Sequence, residues 1–247
     1  MTDTERLAEH LTAWLRREVE AGRGVGAVLG LSGGVDSAVV AALARRAFPH
    51  HALGVLMPCH GDPSDAEDAA LVALHFDLAT ATVDLSPAYD ALVEELGRSS
   101  SDLPESRLAT ANLKPRLRMT TLYAFANLLD YRVLGTGNLD ELTIGYFTKH
   151  GDGGADLLPL GSLTKGEVRD LARELGVPQR IVDKPPSAGL WAGQTDEGEM
   201  GLTYAQLDAY LRGGDVPAEV RARIEALRDA SGHKRALPTV APLPDEG

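Results

Sequence analysis

Short apolar runs recur along the chain, separated by longer stretches that mix apolar and charged positions. They are VGAVLGL from Val25, HALGVLM from His51, ATATVDL from Ala79 and YRVLGTG from Tyr131. None shows the strict polar alternation of a half-exposed strand, so each reads as a strand buried on both faces of a parallel sheet. The intervening segments read as helices. DSAVVAALARRAF from Asp36 has the composition of a packed helix, and PSDAEDAALVALHF from Pro63 opens with turn and acidic residues before its apolar positions, as a helix N-terminus does. The segment from Ser106 to Leu129 also reads as helical, with Pro115 bending or restarting it. Right-handed crossovers between such strands give an α/β fold, a doubly wound parallel sheet flanked by helices.

After Gly145 the pattern changes. GYFTKHGDGGADLLPLG is loop-like, and TKGEVRDLARELGV then gives a helix with a Thr start and a Gly stop. From Lys184 to Gly201 the chain is rich in proline, glycine and polar residues without periodicity, and a mobile lid is expected there. TYAQLDAYLRGG and PAEVRARIEALRDA close the pattern as helices, with Val220, Ile224 and Leu227 forming an apolar stripe. No repeat or linker divides residues 1–247, so a single domain is expected.

Composition narrows the classes. A hydrophobic share of 44% and a charged share of 24% in 247 residues are those of an ordinary globular protein. No apolar run is long enough to span a membrane, and the N-terminus carries charges where a signal peptide needs an apolar core. One cysteine, Cys59, excludes an internal disulfide or a Cys-rich zinc site and fits a reducing, cytoplasmic setting. The formal charge of -12 disfavours broad nucleic-acid binding, so an anionic ligand must be met by local positive groups.

The clearest chemistry lies in LGLSGGVDSAVV, where a buried strand runs into Ser32, Gly33 and Gly34 and a helix starts near Asp36. Such a turn gathers free backbone N–H groups and the positive end of a helix at the C-terminal edge of a sheet, which suits phosphate. Glycines allow close approach, Ser32 and Ser37 add hydroxyl donors, and Asp36 can hold magnesium. The turn lacks the Lys-Ser/Thr pair of a Walker A loop and the third glycine of a GxGxxG fingerprint, which disfavours a kinase or a dehydrogenase. SGGxDS resembles instead the PP-loop of ATP pyrophosphatases, of the adenine nucleotide alpha hydrolase-like fold, in which pyrophosphate leaves as a substrate oxygen attacks the α-phosphate.

Further blocks narrow the substrate. NLKPRLRM from Asn112, GTGNLDE from Gly135, GYFTKHGDGGADLLPLGSLTK from Gly145, KPPSAGLWAGQTDEGEMGLTY from Lys184 and HKR from His233 resemble, in order, the signature blocks of the ammonia-dependent NAD synthetase family. The resemblance implies that Gly30, Leu31, Ser32, Gly33, Gly34, Val35, Asp36 and Ser37 hold ATP phosphates. It implies magnesium at Asp36 and Glu141, and ATP contacts at Thr136, Lys165 and Ser187. Deamido-NAD would meet Arg116, Lys149, Asp156, His233 and Lys234, across the interface of a homodimer. Pro115 stands where the family often has alanine, and the Gly61 to Ala66 loop has no confident match.

The implied reaction forms an acyl-adenylate from the nicotinate carboxylate of deamido-NAD and ATP, then releases AMP as ammonia attacks. Asp36, Glu141 and Lys165 would carry the charge of the phosphoryl step, and Asp156 would help orient ammonium or accept its proton. A glutamine-using enzyme needs an added amidase domain, for which no room remains beside the sheet, so free ammonia is the expected donor. On their own, Asp140 and Glu141 read as a solvated helix start, Arg116 and Arg118 as a charged helix face, and His233 and Lys234 as a basic tail. A tRNA-thiolating PP-loop enzyme would show a basic surface and more cysteines, while a non-catalytic nucleotide sensor would not need Asp36, Glu141 and Lys165 together.

Overall fold

The computed structural model describes residues 2–99, 106–187, 189, 191 and 194–243. In chain order the elements are α1 (Asp3–Ala21), β1 (Gly26–Gly30), α2 (Val35–Ala47), β2 (Ala52–Leu56), α3 (Pro63–His75), β3 (Ala79–Thr82), α4 (Ser86–Ser99), α5 (Arg107–Ala111) and α6 (Leu113–Leu129). There follow β4 (Tyr131–Leu134), α7 (Leu139–Ile144), α8 (Lys165–Glu174), α9 (Gln179–Val182), α10 (Asp196–Met200), α11 (Tyr204–Leu211), α12 (Ala218–Ala230) and a 3-10 turn at Gly232–Lys234. The strands form a parallel sheet in the order β3-β2-β1-β4. After β1 the chain moves outward through β2 and β3 and then returns to the other side of β1 as β4. The crevice between β1 and β4 is therefore the topological switch point, where ligands of open α/β sheets bind.

Alternate residues of β1 feed different cores, as a strand period of two requires. Ala27 and Leu29 join α1, α2, α3, α8 and α9 on one face, while Val28 joins Val55, Val133 and Ala126 on the other, packed by α6. Helices on both faces give the doubly wound fold. The α2 helix is buried from Ser37 through Ala44 without a break, because α1 and α8 cover the flank that the sheet does not. On α1, Leu11, Leu15 and Val19 are buried, each contributing about 1.5–3 kcal/mol. A third core of Ile144, Met200, Leu202, Tyr204, Leu207, Val220 and Ile224 fastens the C-terminal helices beneath α7.

Two sequence expectations need adjustment. The ATATVDL run does form β3, yet at the sheet edge and largely exposed, so burial on both faces is wrong for it: among the described residues no helix covers β3 as α6 covers β4 at the opposite edge. The Ser106 to Leu129 helix restarts at Asn112, and Pro115 sits in the first turn of α6, where its missing N–H has no helical partner to lose. The α8 helix starts on the expected Thr164, in a capping box with Glu167, and the chain leaves it through Gly176 at φ 78°.

Leu171 is completely buried between α8 and the sheet-facing core. Leu171→Ala should lower the unfolding free energy by about 2–5 kcal/mol, read as a shifted urea midpoint with an unchanged slope.

Candidate active site

The C-terminal ends of β1, β2 and β4 open into a cleft of about 820 Å³. Its floor is the turn from Ser32. Ser37 Oγ accepts the Ser32 N–H at 3.3 Å and donates to Gly34 O at 2.9 Å, and Ser32 Oγ accepts the Gly34 N–H at 3.2 Å. The two hydroxyls also meet at 3.0 Å. This local mesh turns the chain so that α2 starts with its N-terminus toward the cleft, with Gly34 as an N-cap that has no side chain to occupy the free amides. Gly33 holds φ 78°, and a Cβ there would lie 2.5 Å from Asp65 O. No other residue type fits without moving α3.

Lys165 is the centre of the charges. Its side chain is 3% exposed, its ammonium donates to Asp36 Oδ2, and Glu141 Oε1 lies 3.9 Å away. The Tyr204 ring lies 4.9 Å from the ammonium. Asn138 joins the group twice, donating from Nδ2 to Asp36 Oδ1 at 3.0 Å and forming a reciprocal capping box with Glu141 at the start of α7. Burial alone would lower the Lys165 pKa, but Asp36 and Glu141 more than reverse it, so the amine stays charged. Burial pushes the Glu141 carboxyl up to about 8, opposed by Lys165 and reinforced by Asp36. Asp36 and Glu141 thus arrive from opposite sides of the switch point and share one ammonium. Two carboxylates at one cation are a hard, all-oxygen donor pair, which fits magnesium.

Around this centre are polar residues that the sequence reading did not single out. Tyr204 Oη donates toward Asp196 Oδ2 at 3.0 Å and lies 3.4 Å from Glu141 Oε1. Tyr146 Oη reaches Glu199 Oε2 at 2.7 Å and Asp196 Oδ1 at 3.2 Å. Burial, then the Asp196 carboxylate, raises the Tyr146 pKa, and burial followed by Glu141 and Asp196 raises that of Tyr204. All four lie in the blocks that begin at Gly145 and Lys184, but nothing in those blocks marked them as neighbours of Lys165.

Asp140 is no solvated helix start. It is fully buried and accepts the Lys165 N–H at 2.7 Å, while Asp208 accepts the Gly166 N–H at 2.9 Å. The Oδ1 atoms of both are buried without a donor. Burial, then repulsion from Asp208, pushes the Asp140 carboxyl up to about 7, so the pair is stable when it shares a proton.

The remaining residues divide. Gly30, Leu31, Val35 and Thr136 line the cleft, as does Ser187, whose Oγ donates to Gln194 O at 2.9 Å. Arg116, Lys149, His233 and Lys234 line its other end. Arg116 reaches Lys149 O at 3.4 Å, Lys149 Nζ donates to His233 O at 2.6 Å, and Lys234 Nζ donates to Gly145 O and Phe147 O at 2.7 Å each. The basic tail is therefore folded back onto the glycine loop. Asp156 stands apart. It is exposed beside β4, where it accepts the Val133 N–H at 2.8 Å and the Tyr123 hydroxyl at 3.1 Å, and it is not among the cleft-lining residues. Cys59 is fully buried, and burial raises its thiol pKa, as for a core residue. No cluster of His, Cys, Asp and Glu with metal-site grouping occurs among the described residues, and none of their helices is long and apolar enough to cross a membrane.

A parallel sheet of this order, with a glycine-serine phosphate turn after its first strand, defines the α/β fold of the PP-loop class. A family model described as NAD synthase matches residues 7–238, and the chain belongs to that family. Among curated relatives it is 52% identical to the NH(3)-dependent NAD(+) synthetase of Carboxydothermus hydrogenoformans, over 97% of this chain and 98% of that protein. It is 46% identical to the protein of the same description from Syntrophomonas wolfei, over 98% of each. Among solved structures, an NMN synthetase from Francisella tularensis superposes with a TM-score of 0.92 at 38% identity, covering 98% of this chain and 99% of that one. The NAD+ synthetase from Burkholderia pseudomallei gives 0.80 at 33% identity, covering 96% and 92%.

The Asp140 pair generates a pH prediction. A carboxyl raised above its unfolded value holds its proton longer in the folded state, so its contribution to stability is lost as pH rises from about 4 to about 7. Asp140→Asn keeps an acceptor for the Lys165 N–H and removes the repulsion. Its stability relative to the parent should improve as pH rises from 5 to 8 in parallel thermal melts; a pH-independent difference contradicts the shared proton.

Proposed function

We propose that this chain amidates deamido-NAD to NAD with ATP and ammonia, through an acyl-adenylate, releasing pyrophosphate and AMP. The observation that carries the reading is the Lys165 ammonium held between Asp36 and Glu141 at the switch point, beside the free amides of the Ser32 turn. The β- and γ-phosphates of ATP sit on that turn, held by backbone N–H groups and the hydroxyls of Ser32 and Ser37. Lys165 meets the charge that grows on the leaving pyrophosphate. It comes from a buried, pre-formed position, so little reorganisation accompanies the step. Asp36 and Glu141 would hold magnesium, which when bound would supply further neutralisation of phosphoryl charge.

The nicotinate carboxylate attacks the α-phosphate, aligned by the cleft end that carries Arg116, Lys149, His233 and Lys234. Ammonia then adds to the acyl carbon, AMP leaves, and a proton is lost to form the amide. The segment from Lys184 to Gly201, part of which lies outside the described residues, acts as the lid that keeps water from the adenylate. Asp156 is read as a contact for the part of the dinucleotide that extends beyond the cleft. Both its oxygens accept from Tyr123 and Val133, which leaves it poorly placed as a base for ammonium.

A homodimer across the face of α4, α5 and α6 fits this geometry. Leu92, Leu96, Leu108, Leu128 and Leu129 are exposed there, and α4 buries none of its residues within the subunit. A partner on that face would also cover Asp156. One observation favours a second acceptor. The Francisella tularensis neighbour, with its TM-score of 0.92, is an NMN synthetase, so nicotinate mononucleotide is the competing substrate for the same chemistry. The reducing cytoplasm, where ammonia and ATP are both present, is the proposed setting.

The direct experiment supplies the protein with ATP, magnesium and ammonium plus either deamido-NAD or nicotinate mononucleotide. NAD, AMP and pyrophosphate in equal amounts are expected, with kcat/KM at least tenfold higher for the dinucleotide. ADP as product removes the reading, and the reverse preference moves it to the mononucleotide. Sedimentation at micromolar concentration should give a dimer, and Leu128→Glu should shift it toward monomer.

A further inference from the structure

The first turns of α3 and the start of the lid are tied by an ion-pair cluster to which the catalytic reading gives no part. Asp68 on α3 is 2% exposed. Lys184, the residue that begins the lid, donates from Nζ to Asp68 Oδ2 at 2.5 Å and to Asp65 Oδ1 at 2.7 Å. Arg180, on α9, brings its Nε within 2.8 Å of Asp68 Oδ1 as an ion pair without hydrogen-bond geometry, so Oδ1 has no donor and the directed bond of the cluster is the one from Lys184. Arg180 is largely exposed and Lys184 one-quarter exposed, so the buried member is the carboxylate that both cations serve. A buried carboxylate stripped of its cations is strongly unfavourable, so the cluster holds together or the local structure rearranges.

Its position matters as much as its burial. The same stretch of α3 forms the wall behind the phosphate turn, where a Cβ at Gly33 would meet Asp65 O at 2.5 Å and the Asp68 Cβ at 2.8 Å. Lys184 follows α9, whose Ile181 and Val182 are locked in the core, and precedes Pro185 and Pro186, which limit the directions the chain can take. Asp196 N–H then returns to Pro186 O at 3.3 Å, and Ser187 Oγ closes on Gln194 O. Where Lys184 is held thus fixes the stem of the lid relative to the phosphates. The cluster also answers an electrostatic problem: Asp65 and Asp68 beside a polyanion site would repel triphosphate unless neutralised, and Lys184 and Arg180 neutralise them.

We infer that Asp68 is a positioning residue for the reaction, a buried clamp that registers the lid stem against the phosphate turn through Lys184 and Arg180. This rests on the adenylate-forming reading above. With the clamp loosened, water reaches the acyl-adenylate: its oxygen bonds to the acyl carbon, the bond to the AMP oxygen breaks, and a proton is released, regenerating deamido-NAD. ATP is then consumed without amide.

The test measures AMP and NAD together in Asp68→Asn, with pyrophosphate release reporting the first step and chymotrypsin cleavage at Trp191 reporting the lid. The clamp predicts an AMP-to-NAD ratio rising from one to at least three, pyrophosphate release within about threefold of the parent, and cleavage that ATP, magnesium and deamido-NAD no longer slow. A ratio that stays at one, or pyrophosphate and NAD falling by one common factor, overturns it, because a merely structural loss lowers both equally. If Asp68→Asn does not fold, Asp65→Asn removes only the half-exposed partner of Lys184 and should raise the ratio to about 1.5–2; an unchanged ratio there overturns the clamp equally. If the parent protein makes no NAD, the functional reading fails instead, and the clamp is judged on proteolysis alone: ligand-free cleavage should be faster in the variant, and equal rates sink it.

Discussion

The ammonium of Lys165 between Asp36 and Glu141 is the interaction on which the rest depends. Its three groups come from the starts of α2, α7 and α8, so each helix has to reach the switch point at the right height. An unpaired cation in so enclosed a place would be costly. The protein supplies the opposing charges from two different strand ends, and Asn138 holds both carboxylates while capping α7. Beneath them the backbone of the same α8 turn is fastened by Asp140 and Asp208. The side chain of Lys165 is thereby fixed by Asp36 and Glu141 and its N–H by Asp140, with Asp208 holding the N–H of Gly166 beside it. That double attachment lets a lysine, ordinarily the most adaptable of cations, act from a set position.

Much of this could be read from the chain. The runs at Val25, His51 and Tyr131 were legible as strands because their apolar residues are consecutive, in β1 and β2 at the centre of the sheet and in β4 at an edge that α6 covers, and SGGVDS announced a phosphate turn because its glycines and serines have few other reasons to sit between a buried strand and a buried helix. Capping residues such as Thr164 were legible for the same reason: the interaction is local. What stayed hidden is long-range. The exposure of β3 depends on which helices reach its edge of the sheet, which no window of sequence contains. Asp140 and Asp208, or Asp68 and Lys184, look like surface charges until the fold brings residues of distant segments to one point. Asp156 shows the opposite case, a residue of a recognisable block that the fold leaves on an outer edge rather than in the cleft wall.

The two faces of the sheet are finished differently, and this too has a physical reading. On the α1, α2 and α8 side, aliphatic side chains are buried in depth and the phosphate machinery is anchored to them. On the α4 and α6 side, aromatic and aliphatic residues such as Leu117, Tyr123 and Phe125 are only partly covered, and α6 buries little beyond Lys114, Pro115 and Ala126. The phosphate turn is therefore anchored on the deeply buried half, while the α6 face keeps the more open packing.

What the cleft offers an anion is local, the uncapped amides at the start of α2 and the enclosed Lys165 ammonium, and it exists within a chain whose formal charge is -12. Binding of a polyanion is in this way separated from surface composition. The exterior is free to vary in sequence, to become more acidic, or to adapt to a saline or crowded cell, while the seat for triphosphate remains as it was. In a protein built like this the residues of the outer surface and those of the phosphate turn answer to separate demands, with none asked to serve both.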